Sequence, residues 1–154
     1  MNKEIKKILG RERLYTKQFE GRDDVVLWDV LKIKQEQELE LEIISTNSKY
    51  AQGLRLAIDA GDGYIEINGF RSKDIKLMEY DIPCKLRIMC KSEEGFLSVY
   101  NIFEREKGKL HSRRSQIDSC GMLVEQNGNT ITYRCNDSGF ITNFDKFVFS
   151  ITLL

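Results

Sequence analysis

The stretch CGMLVEQNGNTITYRC at residues 120–135 predicts a β-hairpin with Asn127-Gly128 at its turn. Apolar and polar residues alternate on both sides of this dipeptide, as they do in strands that bury one face. Asn-Gly in such a setting is a strong short-range hairpin signal, because both residues tolerate the positive φ angles of a type I′ turn. The predicted cross-strand pairs are Val124 with Ile131, Met122 with Tyr133 and Cys120 with Cys135.

The same period-two alternation recurs along most of the chain, and it predicts a series of further short strands. Turn residues such as Gly and Asp separate these runs, which favours connection by hairpins. Two more hairpins are predicted, one joining residues 54–58 to 65–67 through Gly61-Asp62 and one joining residues 84–91 to 96–103 through residues 92–95.

The fold class follows from these runs and from the lack of long helical patterns between them. About nine or ten strands predict an all-β domain, a mostly antiparallel β-sandwich or partly closed barrel. The run 147–153 is apolar on both faces and is predicted to be a central strand. Residues 2–9 predict a short N-terminal helix that stops at Gly10. Residues 74–81 fit either another strand or an irregular loop.

Length and composition favour one domain covering residues 1–154. The 24 basic and 24 acidic residues balance, so no overall charge attracts nucleic acid or an anionic membrane. The first residues lack the apolar run of a signal peptide, and no stretch approaches the roughly twenty apolar residues of a membrane span. We therefore expect a soluble, cytoplasmic protein that does not bind membranes.

The four cysteines at positions 84, 90, 120 and 135 allow two disulfides by number. Cys84 and Cys90 alternate with apolar residues and are predicted to be small core residues. Cys120 and Cys135 form a hydrogen-bonded pair in the predicted register, about 5.5 Å apart at Cα, which permits a disulfide. The expected compartment favours free thiols instead.

The sequence offers no recognisable catalytic or cofactor site, and we predict a protein that is not an enzyme and holds no cofactor. Its one histidine, His111, lies in a charged segment at residues 105–118 that is predicted to be a long exposed connection. Ser112, Ser115 and Asp118 supply the residue types of a hydrolytic triad, but triad members normally come from separate segments. No phosphate-binding glycine motif or close pair of metal ligands occurs, and the Asp and Gly residues at 59–63 are interpreted as a turn.

A row of glutamates is the most distinctive surface feature. Glu38, Glu40 and Glu42 recur at period two, so they project from one face of a strand about 7 Å apart. Like charges at this spacing cost stability unless something offsets them. One offset would be internal, if the preceding strand placed Lys32 opposite Glu40 and Lys34 opposite Glu38. The other interpretation is a docking surface for a basic partner.

These features favour a non-catalytic protein-binding domain. Small, charge-balanced chains without catalytic signatures are common among bacterial immunity and inhibitor proteins, which neutralise a cognate toxin by occluding its active site. Glu38, Glu40 and Glu42 would complement a basic toxin surface, for example that of a nuclease, and Trp28 would supply desolvated contact area.

Two alternatives remain from the sequence. A β-sandwich or barrel can hold a carbohydrate or another small ligand in a concavity. A nucleic-acid-binding role for the basic residues at 105–114 is less favoured, because acidic residues dilute them and no aromatic residues lie between them to stack on bases.

Overall fold

Thirteen β-strands, all paired antiparallel, make up the part of the chain that the computed structural model describes, residues 10–116, 119–138 and 142–154. The predicted all-β class is therefore confirmed. The extra strands relative to the prediction are short, such as β1 with two residues and β6 with three. The strands are β1 Leu14–Tyr15, β2 Val26–Lys32, β3 Glu36–Thr46, β4 Ala51–Ala57, β5 Gly63–Ile67, β6 Phe70–Ser72, β7 Asp74–Met78, β8 Lys85–Ser92, β9 Phe96–Glu104, β10 Arg113–Ser115, β11 Gly121–Asn127, β12 Thr130–Asn136 and β13 Phe147–Leu153.

The strands form one nearly closed barrel. Their order is β6-β5-β8-β3-β13-β12-β11-β2-β9-β4-β7, with β1 paired to β2 and β10 paired to β9. The two ends of this order, β6 and β7, follow each other in the chain with only Lys73 between them. The backbone N–H of Ile58 donates to the Lys73 oxygen at 2.9 Å and holds the bend in place.

β2 joins the two halves of the barrel. Its start pairs with β11 at Val26, and its second part pairs with β9 from Asp29 onward. The strands from β6 to β11 in the order form the wide half, and β9, β4, β7 and β10 form the narrow half. The space between the halves is filled by apolar side chains, the largest of which are fully buried: Tyr133, Phe147, Phe149, Leu39 and Leu41.

The hairpin at residues 120–135 forms as β11 and β12, but its register differs from the predicted one. Asn127 pairs with Thr130, so the two loop residues are Gly128 and Asn129, and only Gly128 has a positive φ, 63°. This placement suits a type II′ turn, in which glycine takes the first loop position. The slip is two residues, which keeps every side chain on its predicted face and places Met122 opposite Cys135.

The other predicted hairpins are wrong. β4 pairs with β9 and β7, whereas β5 pairs with β8 and β6. Likewise β8 pairs with β3 in the wide half while β9 lies in the narrow half, and β2 does not pair with β3. In each case the connecting turn carries the chain across the barrel instead of reversing it beside itself. Alternation specifies which face of a strand is buried but does not determine which strand lies next to it in the sheet.

The remaining predictions divide as follows. The last strand, β13, lies between β12 and β3 and is central, as predicted. Residues 74–78 form β7, which resolves the alternatives in favour of a strand. All four cysteines are free, but Cys84 is exposed and is not a core residue. The predicted N-terminal helix lies outside the described residues. The described residues contain no helix long and apolar enough to cross a membrane.

Candidate partner-binding surface

β3 carries a row of four glutamates on the outer face of the wide half. Its inward residues Leu39 and Leu41 are fully buried, so the alternating carboxylates point to solvent. The Glu38 side chain is 46% exposed and that of Glu40 is 32% exposed, which leaves both accessible to a partner. We call this feature the glutamate row; its members are Glu36, Glu38, Glu40 and Glu42.

A basic strand lies directly beside the glutamate row. Arg87 of β8 places Nη1 2.7 Å from Glu38 Oε1 and Nε 3.7 Å from Glu40 Oε2, so one guanidinium serves two carboxylates. Its hydrogen bond to Glu38 raises the pKa of Arg87, which therefore stays charged. The register pairs Glu36 with Lys91, Glu38 with Met89, Glu40 with Arg87 and Glu42 with Lys85.

The internal offset predicted from β2 is wrong. Lys32 lies opposite Phe96 of β9, and Lys34 Nζ donates to the backbone oxygen of Leu154 at 3.3 Å. Among the described residues, Arg87 is the only cation that forms an ion pair with the glutamate row. Glu38 and Glu40 thus share one closely bound guanidinium, whereas Glu36 and Glu42 lie opposite Lys91 and Lys85 without an ion pair among the described residues. The row keeps an excess of negative charge on its strand.

Hydroxyl and apolar groups complete the face around the row. Ser150 of β13 lies opposite Glu42, and the hydroxyls of Thr152 and Thr130 are 3.0 Å apart. Ile44 is 51% exposed at a bulge where β3 carries one residue more than β13, and Met89 is 36% exposed beside Glu38. The face therefore offers carboxylates, the half-buried hydroxyls of Thr130 and Thr152, and two apolar side chains on a central part of the sheet.

The structure does not bring Trp28 to this face. Trp28 lies on β2, four strands from β3 in the sheet order, a separation of about 19 Å along the sheet. Its half-buried ring packs against Tyr100 with 5.3 Å between centroids, and Arg55 Cζ lies 5.2 Å from the ring centroid. Trp28 belongs to a cluster in the narrow half. The residues next to Trp28 in the chain do not predict its contacts with Tyr100 and Arg55.

Arg55 is the centre of that second cluster. It is 8% exposed, its Cζ lies 5.2 Å from the ring centroid of Trp28 and 5.0 Å from that of Tyr100, and it donates to Asp59 at 3.1 Å and to Asp74 at 3.2 Å. Burial lowers its pKa, but the hydrogen bonds and charges of its partners outweigh burial, so the pKa is raised. Two carboxylates and two rings make this cation a structural link between β4, β7 and β9.

The 105–114 segment is ordered by a buried carboxylate that alternation alone did not single out. Glu104 is fully buried and accepts hydrogen bonds from Tyr80 Oη at 2.5 Å, Gly108 N at 2.8 Å and Arg113 Nη2 at 2.8 Å. Burial raises the pKa of Glu104, but these hydrogen bonds and the Arg113 charge outweigh it and lower the pKa. The predicted long connection is thus partly structured, with a 3-10 helix at Leu110–Ser112 followed by β10.

The thiols and the surface depressions show what chemistry the described residues support. Burial raises the pKa of Cys90 to about 12 and that of Cys120 to about 11, so both thiols stay protonated near neutral pH. No cluster of three metal-binding side chains occurs in residues 10–116, 119–138 and 142–154. Two open depressions of about 760 Å³ and 580 Å³ have largely polar linings, the first formed by Lys34, Gln35, Glu36, Lys91 and Glu93.

Comparison with known proteins finds no family model, no characterised relative and no solved structure that matches this chain.

Proposed function

We propose that the protein is a non-catalytic protein-binding domain whose partner presents a basic surface to the glutamate row. The observation that supports this most is the charge distribution on the outer face of β3, where four carboxylates stand in a row and, within the described residues, only Arg87 forms an ion pair with any of them. Excess negative charge at a rigid, uncovered face speeds encounter with a cationic partner and orients it.

The class of partner we favour is a toxin with a cationic active-site cleft, such as a nuclease, which this protein would neutralise as an immunity or inhibitor protein. Carboxylates spaced about 7 Å apart along a strand present regularly repeated negative charge, as a nucleic-acid backbone does. A rigid row of such charges would occupy the groups that otherwise bind the substrate phosphates. The inhibition would then be steric and electrostatic and would need no catalytic residue.

The apolar contacts in this proposal come from the same face. Met89 lies opposite Glu38, and Ile44 follows Glu42 along β3, so both border the charged groups. Their exposure supplies surface that becomes desolvated when a partner docks. Trp28 is too far along the sheet to join this contact, and in the proposal it has a packing role.

The experiment compares capture of a native partner by three forms of the protein. The wild-type chain, immobilised at low salt, should retain a stoichiometric basic protein from its native cytoplasm. The double variant Glu38→Lys/Glu40→Lys should lose that protein, because it reverses two charges of the row. Glu20→Lys is the matched control, since Glu20 is exposed in the segment between β1 and β2.

The outcome also depends on salt. Binding carried by the glutamate row should fall steeply as ionic strength rises above about 0.15 M, where charges screen one another within about 8 Å. Circular dichroism of each variant checks that the fold is intact. A partner that stays bound to the double variant and in high salt would refute the proposal. Binding of a small ligand in an apolar site would likewise not respond to salt or to the charge reversal.

A further inference from the structure

A second charged surface lies at one end of the narrow half, away from the glutamate row. The start of β4 pairs with the end of β9 through Ala51 and Glu104, and β10 pairs with Glu104 from the other side through Arg113. This brings residues 49–50 and 105–114 together although about fifty positions separate them in the chain. We call the exposed cations here the basic rim: Lys49, Arg105, Lys107, Lys109 and Arg114.

Two tyrosines from other parts of the chain lie among these cations. Lys49 Nζ is 5.1 Å from the centroid of the Tyr50 ring, and Arg105 Cζ is 6.0 Å from it. Lys107 Nζ is 5.2 Å from the ring of Tyr80, which follows β7. The segment 105–114 contains no aromatic residue of its own, so only the fold interleaves rings with positive charge.

The rim is held in place by groups that do not contribute to its surface. Glu104 accepts bonds from Gly108 N and Tyr80 Oη, and this fixes the returning loop and the second ring. Ser112 Oγ accepts from the backbone N–H of Glu106 at 3.0 Å and donates to the backbone oxygen of Lys109 at 2.7 Å. Preorganised cations lose less entropy on binding than mobile ones.

Acidic groups nearby reduce the local charge but do not cancel it. Glu106 is exposed and lies 3.8 Å from His111, and Asp81 is exposed beside Tyr80. Glu79 is half-buried, and burial raises its pKa. Five exposed cations against these three carboxyl groups leave a positive excess on a chain whose formal net charge is zero.

We propose that the basic rim binds single-stranded nucleic acid, with the cations on phosphates and the two tyrosine rings on bases. Positive charge interleaved with aromatic rings is the arrangement that single-strand binders use, since every base offers a face for stacking. An acidic peptide would be attracted by the cations but would gain nothing specific from the rings. This surface differs from the glutamate row, so either proposal can fail without the other.

The test is fluorescence anisotropy with a labelled single-stranded oligonucleotide, such as a 15-mer of deoxythymidine, titrated with the full chain at low and moderate salt. Lys107→Ala/Lys109→Ala should weaken binding about tenfold at low salt and reduce the dependence of log K on log salt by about 0.7 per lost phosphate contact. Lys32→Ala/Lys34→Ala is the matched control, because both lysines are exposed near the opposite end of β9.

The ring is tested separately at Tyr50. Tyr50→Leu should weaken binding by about fivefold or more through lost stacking, whereas Tyr50→Phe should keep wild-type affinity. Three results would overturn the proposal: no binding at low salt, equal loss in the Lys32/Lys34 control, or competition by poly-glutamate combined with indifference to Tyr50→Leu. The last result would identify a general anion surface that accepts acidic peptides.

Discussion

The glutamate row on β3 and the buried carboxyl groups of β2 and β9 carry the same chemical group in opposite settings. Glu38 and Glu40 stand in solvent beside Arg87, whereas Asp29 and Glu104 are fully buried with their partners around them. Exposed ion pairs contribute little to stability, because water screens them and the side chains lose freedom. Buried carboxyl groups matter more, since removing one leaves its donors without partners.

This difference separates groups available for binding from groups committed to the fold. Asp29 accepts from Tyr133 Oη at 2.6 Å and from Arg13 Nε at 2.6 Å, inside the barrel wall. Neither oxygen is left for a ligand. The glutamate row keeps its carboxylates exposed on the outer face of the sheet, so docking a partner there need not break the core.

Asp29→Ala should cause the largest loss. It removes the acceptor of Tyr133 Oη in a fully buried site and releases Arg13, so the free energy of unfolding should fall by about 3 kcal/mol. Urea denaturation followed by circular dichroism measures this. If the free energy of unfolding fell by no more than the contribution of an exposed ion pair, the proposed difference between buried and exposed carboxyl groups would be wrong.

Glu104→Gln should lower stability by about 2 kcal/mol at neutral pH, because Arg113 loses its buried counter-charge. The folded pKa of Glu104 lies below its ordinary value of 4.5, so its contribution is complete above that pH and disappears as pH falls through the lower folded pKa. The difference in the free energy of unfolding between wild type and Glu104→Gln should therefore become smaller as the pH is lowered, which urea denaturation at several pH values measures.

Hydrogen exchange at the Gly108 amide gives an independent measurement for the same variant. That amide donates to Glu104 and should exchange faster in Glu104→Gln than in wild type. A gap in stability that is constant from neutral to acid pH would contradict the assigned role of the ionised carboxylate.

Tyr133→Phe should have an intermediate effect of about 1 kcal/mol, because it removes one hydrogen bond and leaves the ring packing intact. Burial and the Asp29 carboxyl group raise the pKa of Tyr133 well above its usual value, so the phenol should not ionise before the protein unfolds in alkali. Spectrophotometric titration of the folded protein checks this: one of the six tyrosines should stay un-ionised until the protein unfolds, and ionisation of all six before unfolding would argue against full burial of Tyr133.

Arg87→Ala should leave the urea midpoint unchanged, because the residue is exposed and its ion pairs are screened. The same change removes the guanidinium that pairs with Glu38 and Glu40, so it should strengthen capture of a basic partner at low salt. If capture of the partner became weaker while stability stayed unchanged, the partner would bind Arg87 and not the carboxylates.

Alternation of apolar and polar residues predicts which face of each strand is buried. It does not predict which strands pair with one another. Val124 and Tyr133 point inward as predicted, although they pair with each other instead of with the predicted partners. The row at Glu38 and Glu40 was likewise predictable, because period two places these side chains on one exposed face. Its basic neighbour Arg87 lies nearly fifty residues away, beyond the reach of local patterns.

Other parts of the candidate sites had no local signal. Glu104 directly follows the predicted strand at residues 96–103 and is interpreted from the sequence only as an acidic residue that dilutes the basic segment, although it ends β9 and orders the segment that follows. Tyr50 and Tyr80 looked unrelated to that segment until the pairing of β4, β7 and β9 placed them beside it. The predicted function therefore remains a proposal, because no sequence motif names a partner.

The sequence by itself determined that this chain forms short antiparallel strands and which side of most strands faces the core, because side-chain direction alternates with every residue. Only the tertiary structure decided that β3 lies between β8 and β13, that Arg87 partners the glutamates, and that Trp28 lies elsewhere. The physical reason is that strand pairing depends on closing one barrel around one shared core. That choice depends on all the strands together and is not encoded within any single turn.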